Sequence, residues 1–152
     1  MCLTTLSCKK KTEDTPAPTI LPMNSTETAM VGNWIWDKTE YYNSSGTLLS
    51  TITPANTSIY AGAFMNLETN PVQNGKYFGE HYFSSSTTGA GMETYWYTDN
   101  AATTGSTKIK EFCATPPSYF TVGYINTLTS SLLIIDDFPG ATNYGNKIYY
   151  HK

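Results

Sequence analysis

From Met30 onward, apolar and polar positions come in short runs broken by turn residues, and no run holds a helical period. The predicted strands are Asn33 to Tyr42, Thr47 to Thr53, Ser58 to Leu67, Lys76 to Ser84, Glu93 to Asp99, Thr107 to Ala114, Tyr119 to Ile125, Ser131 to Phe138 and Lys147 to His151. Asn43-Ser44-Ser45-Gly46, Asn74-Gly75, Gly89-Ala90-Gly91, Thr104-Gly105, Pro116-Pro117 and Pro139-Gly140 mark the connectors. In the first strand Trp34 and Trp36 share one face, with Ile35 and Asp37 on the other. Leu132-Leu133-Ile134-Ile135 is apolar on both faces, as a strand covered on both sides must be. Ahead of the strands, Ser25 to Met30 is predicted to form one helical turn. Ser25 is the expected cap, and Thr28 stands where a capping box would place Glu or Gln. An antiparallel succession without crossover helices leaves two all-β architectures, a closed up-and-down barrel or a two-sheet sandwich.

Composition agrees with strands and removes several functions. Of 152 residues 14% are aromatic and only 14% charged, with twelve Tyr, so there is ample apolar area for one core. The formal charge is −3 and the chain has no Arg. Three of its lysines, Lys9 to Lys11, lie in the amino-terminal segment, which leaves the body more acidic than the whole. An Arg-free acidic body is a poor partner for phosphate backbones, so nucleic-acid binding is disfavoured. No apolar run is long enough to span a bilayer as a helix.

The amino terminus carries a different signal. Leu3-Thr4-Thr5-Leu6-Ser7-Cys8 resembles the end of a bacterial lipoprotein signal peptide, in which a small residue precedes the cysteine that receives the lipid. Lys9 to Pro22 has no apolar periodicity and contains Pro16, Pro18 and Pro22, which reads as an extended tether. The Cys-Lys-Lys-Lys-Thr-Glu-Asp order resembles surface lipoproteins of the Bacteroidota. The expected organisation is therefore a truncated signal remnant over 1–8 with Cys8 as the lipidation site, a tether over 9–22, and a domain over 23–152. The resemblance implies a membrane partner through Cys8 and an outer-membrane, surface-exposed location.

A second resemblance concerns the fold. Gly32-Asn33-Trp34 has the G-x-W form that opens the first strand of lipocalins after a short helical turn. Ile125 to Ile134 followed by Lys147-Ile148-Tyr149-Tyr150 is similar to the close of lipocalin-like lipoproteins of the Bacteroidota. This resemblance implies a lipocalin-like barrel over 23–152, with Gly32 and Trp34 closing one end. Lipocalins pack a basic side chain, usually Arg, across that Trp; here Lys147 or Lys152 is the available substitute. The implied function is non-catalytic binding of a small apolar or amphipathic ligand in the barrel. The alternative is a structural or interaction module with a filled core.

Catalytic and metal signatures are missing from the sequence. Cys2, Cys8 and Cys113 form no ligand spacing, and no P-loop, G-x-S-x-G or H-E-x-x-H is present. His81 and Glu80 are strand neighbours on opposite faces and do not act as an acid–base pair. Asp37, Glu40, Glu68, Glu80, Glu93 and Glu111 offer carboxylates whose pairing spacing alone does not give. Cys113 reads as a small core residue. No enzyme, cofactor or metal is expected. The barrel lining is expected to include Trp36, Tyr60, Phe64, Tyr82, Trp96, Phe112 and Tyr124, one or two from each of several strands.

Overall fold

The computed structural model of the protein describes residues 19–57, 62–83, 91–100, 107–114, 117–137 and 145–152. A helix α1 (Ser25–Met30) precedes nine strands: β1 (Gly32–Tyr42), β2 (Leu48–Ile52), β3 (Phe64–Gln73), β4 (Tyr77–Phe83), β5 (Gly91–Asn100), β6 (Thr107–Ala114), β7 (Pro117–Leu128), β8 (Leu132–Asp136) and β9 (Gly145–His151). Turn chemistry sets the hairpins as expected. Asn74 and Gly75 both have positive φ, and Lys76 N donates to Gln73 O, giving the primed turn that joins β3 to β4. Asn43 Oδ1 accepts from Ser45 N at 3.0 Å and Thr47 N at 2.8 Å, tying the turn between β1 and β2.

Each strand pairs antiparallel with its neighbours, and β1 also pairs with β9, so the sheet closes. The result is an eight-strand up-and-down barrel with one extra strand, a lipocalin-like layout rather than a sandwich. The extra strand is β2. It lies along the same edge of β1 as β3 does: Thr39 to Tyr42 face β2, and Gly32 to Ile35 face β3. The third strand differs from its predicted span. It runs from Phe64 to Gln73 because pairing with β4 breaks between Leu67 and Val72, and this irregularity admits Pro71 without a ladder hydrogen bond.

The helix begins one residue earlier in its capping frame than expected. Asn24, not Ser25, is the cap: its Oδ1 accepts from Glu27 N at 2.9 Å, while Glu27 Oε2 accepts from Asn24 N at 2.8 Å. Glu27 wins over Thr28 because only its carboxylate reaches back to the cap amide. Its other oxygen accepts from Thr98 N of β5 at 2.8 Å and from Thr98 Oγ1 at 3.2 Å. Since α1 leads directly into β1, this bond to β5 draws the helix across one end of the barrel.

That end is plugged. Trp34 is fully buried and its Nε1 donates to Met30 O at 2.6 Å. Lys152 Nζ lies 4.3 Å from the Trp34 ring centroid and donates to Val31 O at 2.8 Å. Of the two lysines expected, Lys152 is the one that crosses the tryptophan, while Lys147 Nζ stands 5.7 Å from the Tyr42 ring. Above the plug the interior holds Met65, Leu67, Phe78, Trp96, Ile109, Leu133 and Ile135. Gly32 has φ +132°, and a Cβ there would meet Lys152 Cε at 3.1 Å. Gly32→Ala is therefore expected to cost about 1–3 kcal/mol, read as a lower urea midpoint at unchanged slope.

Candidate functional site

Among the described residues, two features stand apart from the packed core. The first is a cavity of about 220 Å³ lined by Trp36, Thr39, Tyr41, Ala63, Asn146, Ile148 and Tyr150. Its position follows from a register shift between Trp36 and Lys38 where β1 meets β9. The shift turns Asp37 outward and resets the alternation, so that Trp36, Thr39 and Tyr41 line the same space. Trp36 Nε1 donates to Thr39 Oγ1 at 3.0 Å, which fixes the indole against the wall. The cavity lies toward the end away from α1, since Tyr41 and Asn146 sit at the far ends of β1 and β9.

The second feature is a pair of inward carboxyls. Glu80 of β4 and Glu111 of β6 are 3% and 8% exposed, with β5 between them: Thr94 stands opposite Glu80 and Trp96 opposite Glu111. Thr94 Oγ1 donates to Glu80 Oε2 at 3.1 Å, and the two glutamates hydrogen-bond to each other. Burial pushes both carboxyls above their usual range, and the charge of Glu80 adds to the shift of Glu111. Two unshared negative charges in this dry setting would be prohibitive, so the pair retains a proton and acts as one donor–acceptor unit. Such a unit offers both a proton and a lone pair to a polar group. The residues lining the cavity on β1 and β9 do not include it.

The outer wall treats a glutamate in the opposite way. Glu40 accepts from Lys38 Nζ, Tyr149 OH and Tyr42 OH, each at 2.6 Å. The Lys38 ammonium, then the two phenols, hold its carboxyl down at about 2, while burial drives the Tyr149 phenol well above its ordinary value.

The predicted lining residues divide by strand parity. Trp36 lines the cavity, and Trp96 is fully buried, 5.9 Å from Phe78 and donating through Nε1 to Glu68 O. Phe112 packs against Tyr77 and Tyr95 on the outer face, because its neighbour Glu111 takes the inward position. Tyr124 stands opposite Asp136 and Lys108, and Phe64 opposite the exposed Ile35, which places both outside as well. Tyr60, the Tyr82 side chain and Cys8 lie outside the described residues. Cys113 is half-buried rather than in the core. Ala63, Asn146 and Ile148 had no signal in the sequence beyond strand position. Glu80 and Glu111 share an alternation with the buried Phe78 and Ile109, the clue that could have placed each of them inside.

Among the described residues no cluster of His, Cys, Asp or Glu suits a metal ion, and no helix is long and apolar enough to cross a membrane. Comparison with protein-family models, curated proteins and solved structures gave no match.

Opposite pH dependences follow from these two settings. For Glu80 and Glu111 the folded state holds more protons than the unfolded chain above the ordinary carboxyl value of 4.5, so stability falls as pH rises from there. Thermal melts are expected to lose Tm between about pH 5 and about pH 8, and Glu111→Gln to flatten that slope; an unchanged slope would remove the shared proton. For Glu40 the sign reverses: its contribution is complete above 4.5 and is lost as pH falls toward about 2. Glu40→Gln should therefore flatten only the acid limb, below about pH 4.

Proposed function

We propose that the protein is an envelope lipoprotein that binds a small, slender amphipathic ligand in the upper barrel, without catalysis. The cavity of about 220 Å³ carries this reading. Its wall combines the rings of Trp36, Tyr41 and Tyr150 with the Thr39 hydroxyl and the Asn146 amide, the mixture that favours a ligand with one apolar body and one polar end. The volume is below the ~300 Å³ of pockets that take drug-sized molecules, so a single ring or a short chain fits best.

The lipid anchor is supported by Ser7-Cys8 and the tether that follows. Leu21 N donates to Gly75 O at 2.6 Å, so the segment entering the domain passes the same end as α1. A domain held there presents the cavity end away from its attachment. A second reading, an interaction module with a filled barrel, is favoured by the complete burial of Trp34, Trp96, Met30, Leu67 and Ile109.

Fluorescence separates the two. Titration with octanoate and with cyclohexanecarboxylate is expected to shift or quench tryptophan emission, and Ala63→Phe to abolish the response by filling the cavity. A flat response from the wild-type chain would decide for the filled barrel. For the anchor, Cys8→Ala is expected to move the protein from the detergent to the aqueous phase on Triton X-114 partition of envelope extracts; a variant that still follows detergent would rule Cys8 out.

A further inference from the structure

The outer face of β4 to β7 gathers aromatic and basic residues that the interior does not use. By register Tyr97 stands opposite Lys110, and Lys110 opposite Thr121. Tyr95 stands opposite Phe112, and Asp99 opposite Lys108, which in turn faces Tyr124. Tyr77 meets the edge of Tyr97 with ring centroids 4.6 Å apart. Lys76 Nζ lies 4.1 Å from the Tyr97 centroid, Lys108 Nζ lies 5.6 Å from that of Tyr124, and Lys110 Nζ donates to Thr121 Oγ1 at 2.8 Å. Tyr77 and Phe112 are themselves buried on this face, while Tyr95, Tyr97, Tyr124 and the three lysines are half-buried and keep part of their surface exposed. At the foot of this face a cleft of about 240 Å³ opens between Leu21 and Pro22 on one side and Lys76 and Tyr97 on the other, with the buried Glu27 also in its lining.

The charge of this face runs against that of the domain. Residues 19–152 carry six lysines and ten carboxylates, yet three of the six lysines converge here. Among the described side chains Asp99 is the one carboxylate in these rows; Asp136, on the next strand, accepts from Asn126 Nδ2. A surface of partly exposed tyrosines interleaved with ammonium groups is complementary to a chain of rings that carries sparse negative charge.

We propose that this face binds an acidic glycan. Sugar C–H faces would pack on the tyrosine rings, sugar hydroxyls would bond the phenols, and carboxylate or sulfate groups would pair with Lys76, Lys108 and Lys110. A nucleic-acid strand also offers rings and anions, but it brings a phosphate every ~3.4 Å of strand. Three lysines and no Arg on an acidic body do not match that density, whereas a glycan with one charge per sugar or fewer does. The site is independent of the barrel cavity.

Affinity electrophoresis through gels containing polygalacturonate tests the assignment. The wild-type chain is expected to be retarded, and Lys108→Ala/Lys110→Ala and Tyr97→Ala each to weaken binding about fivefold or more. Retardation should fade as NaCl rises from about 50 to about 300 mM, and dextran should give none. The near-UV circular dichroism spectrum reports whether each variant keeps its fold; if Tyr97→Ala loses it, the lysine double variant decides. No retardation, or retardation that a folded double variant leaves untouched, overturns the proposal. Stronger binding to oligo-dT than to polygalacturonate overturns it in favour of nucleic acid.

Discussion

Closure of β1 onto β9 is the constraint from which the rest of the structure follows. It removes the exposed sheet edges that an open meander would leave and fixes the cross-section at eight strands. A barrel of that size has an interior wide enough for side chains or for one small ligand, and among the described residues the core cluster fills most of it. β1 bears the closure, pairing along one edge with β9 and along the other with β3 and then β2. It meets both demands only by bulging near Asp37, which trades strict alternation for a wall of Trp36, Thr39 and Tyr41. The cavity is thus a by-product of how the sheet closes.

Three environments then give one residue type three roles. Glu27 spends its carboxylate on two backbone amides and a hydroxyl, fastening the helix to β5. Glu40, ringed by an ammonium and two phenols, is held ionised. Glu80 and Glu111 face each other where no cation is near enough to shift them, and a shared proton replaces the missing counter-charge. Hydrogen-bond donors favour the charge of Glu40, and desolvation opposes it in the Glu80–Glu111 pair. An inward acid pair destabilises the fold as pH rises, so its presence in a core otherwise rich in Trp, Leu and Ile is a cost that packing alone does not explain.

The strands, their order and the barrel were legible because period-two alternation and turn residues are local signals. Thr107 to Ala114 was read to the residue, and Asn74-Gly75 forms the turn its chemistry demands. The plug was legible through Gly32-Asn33-Trp34, and the shortage of basic residues narrowed its partner to two lysines. What escaped was parity. Phe112, Tyr124 and Phe64 were expected inside because they are aromatic, yet each sits one residue out of phase with the inward set. Phase is set by pairing with the neighbouring strand, and for Tyr124 also by the register shift between Ile109 and Lys110 where β6 meets β7. The carboxyl pair escaped for a related reason: Glu80 and Glu111 lie on strands separated by β5, and only the register brings them together.

The same parity divides the labour of the barrel. Successive residues of one strand serve opposite faces: Trp96 packs the core while Tyr97 meets Lys76 outside, and Glu111 joins Glu80 inside while Phe112 joins Tyr77 and Tyr95 outside. Shifting β5 or β6 by one residue would exchange these sets, burying Lys110 and exposing Trp96. The interior therefore specifies the exterior. The oily positions that fix the register of β4 to β6 also set the spacing of tyrosines and lysines on the outer wall, so a ligand surface there requires no rigidity of its own beyond the packing of the core.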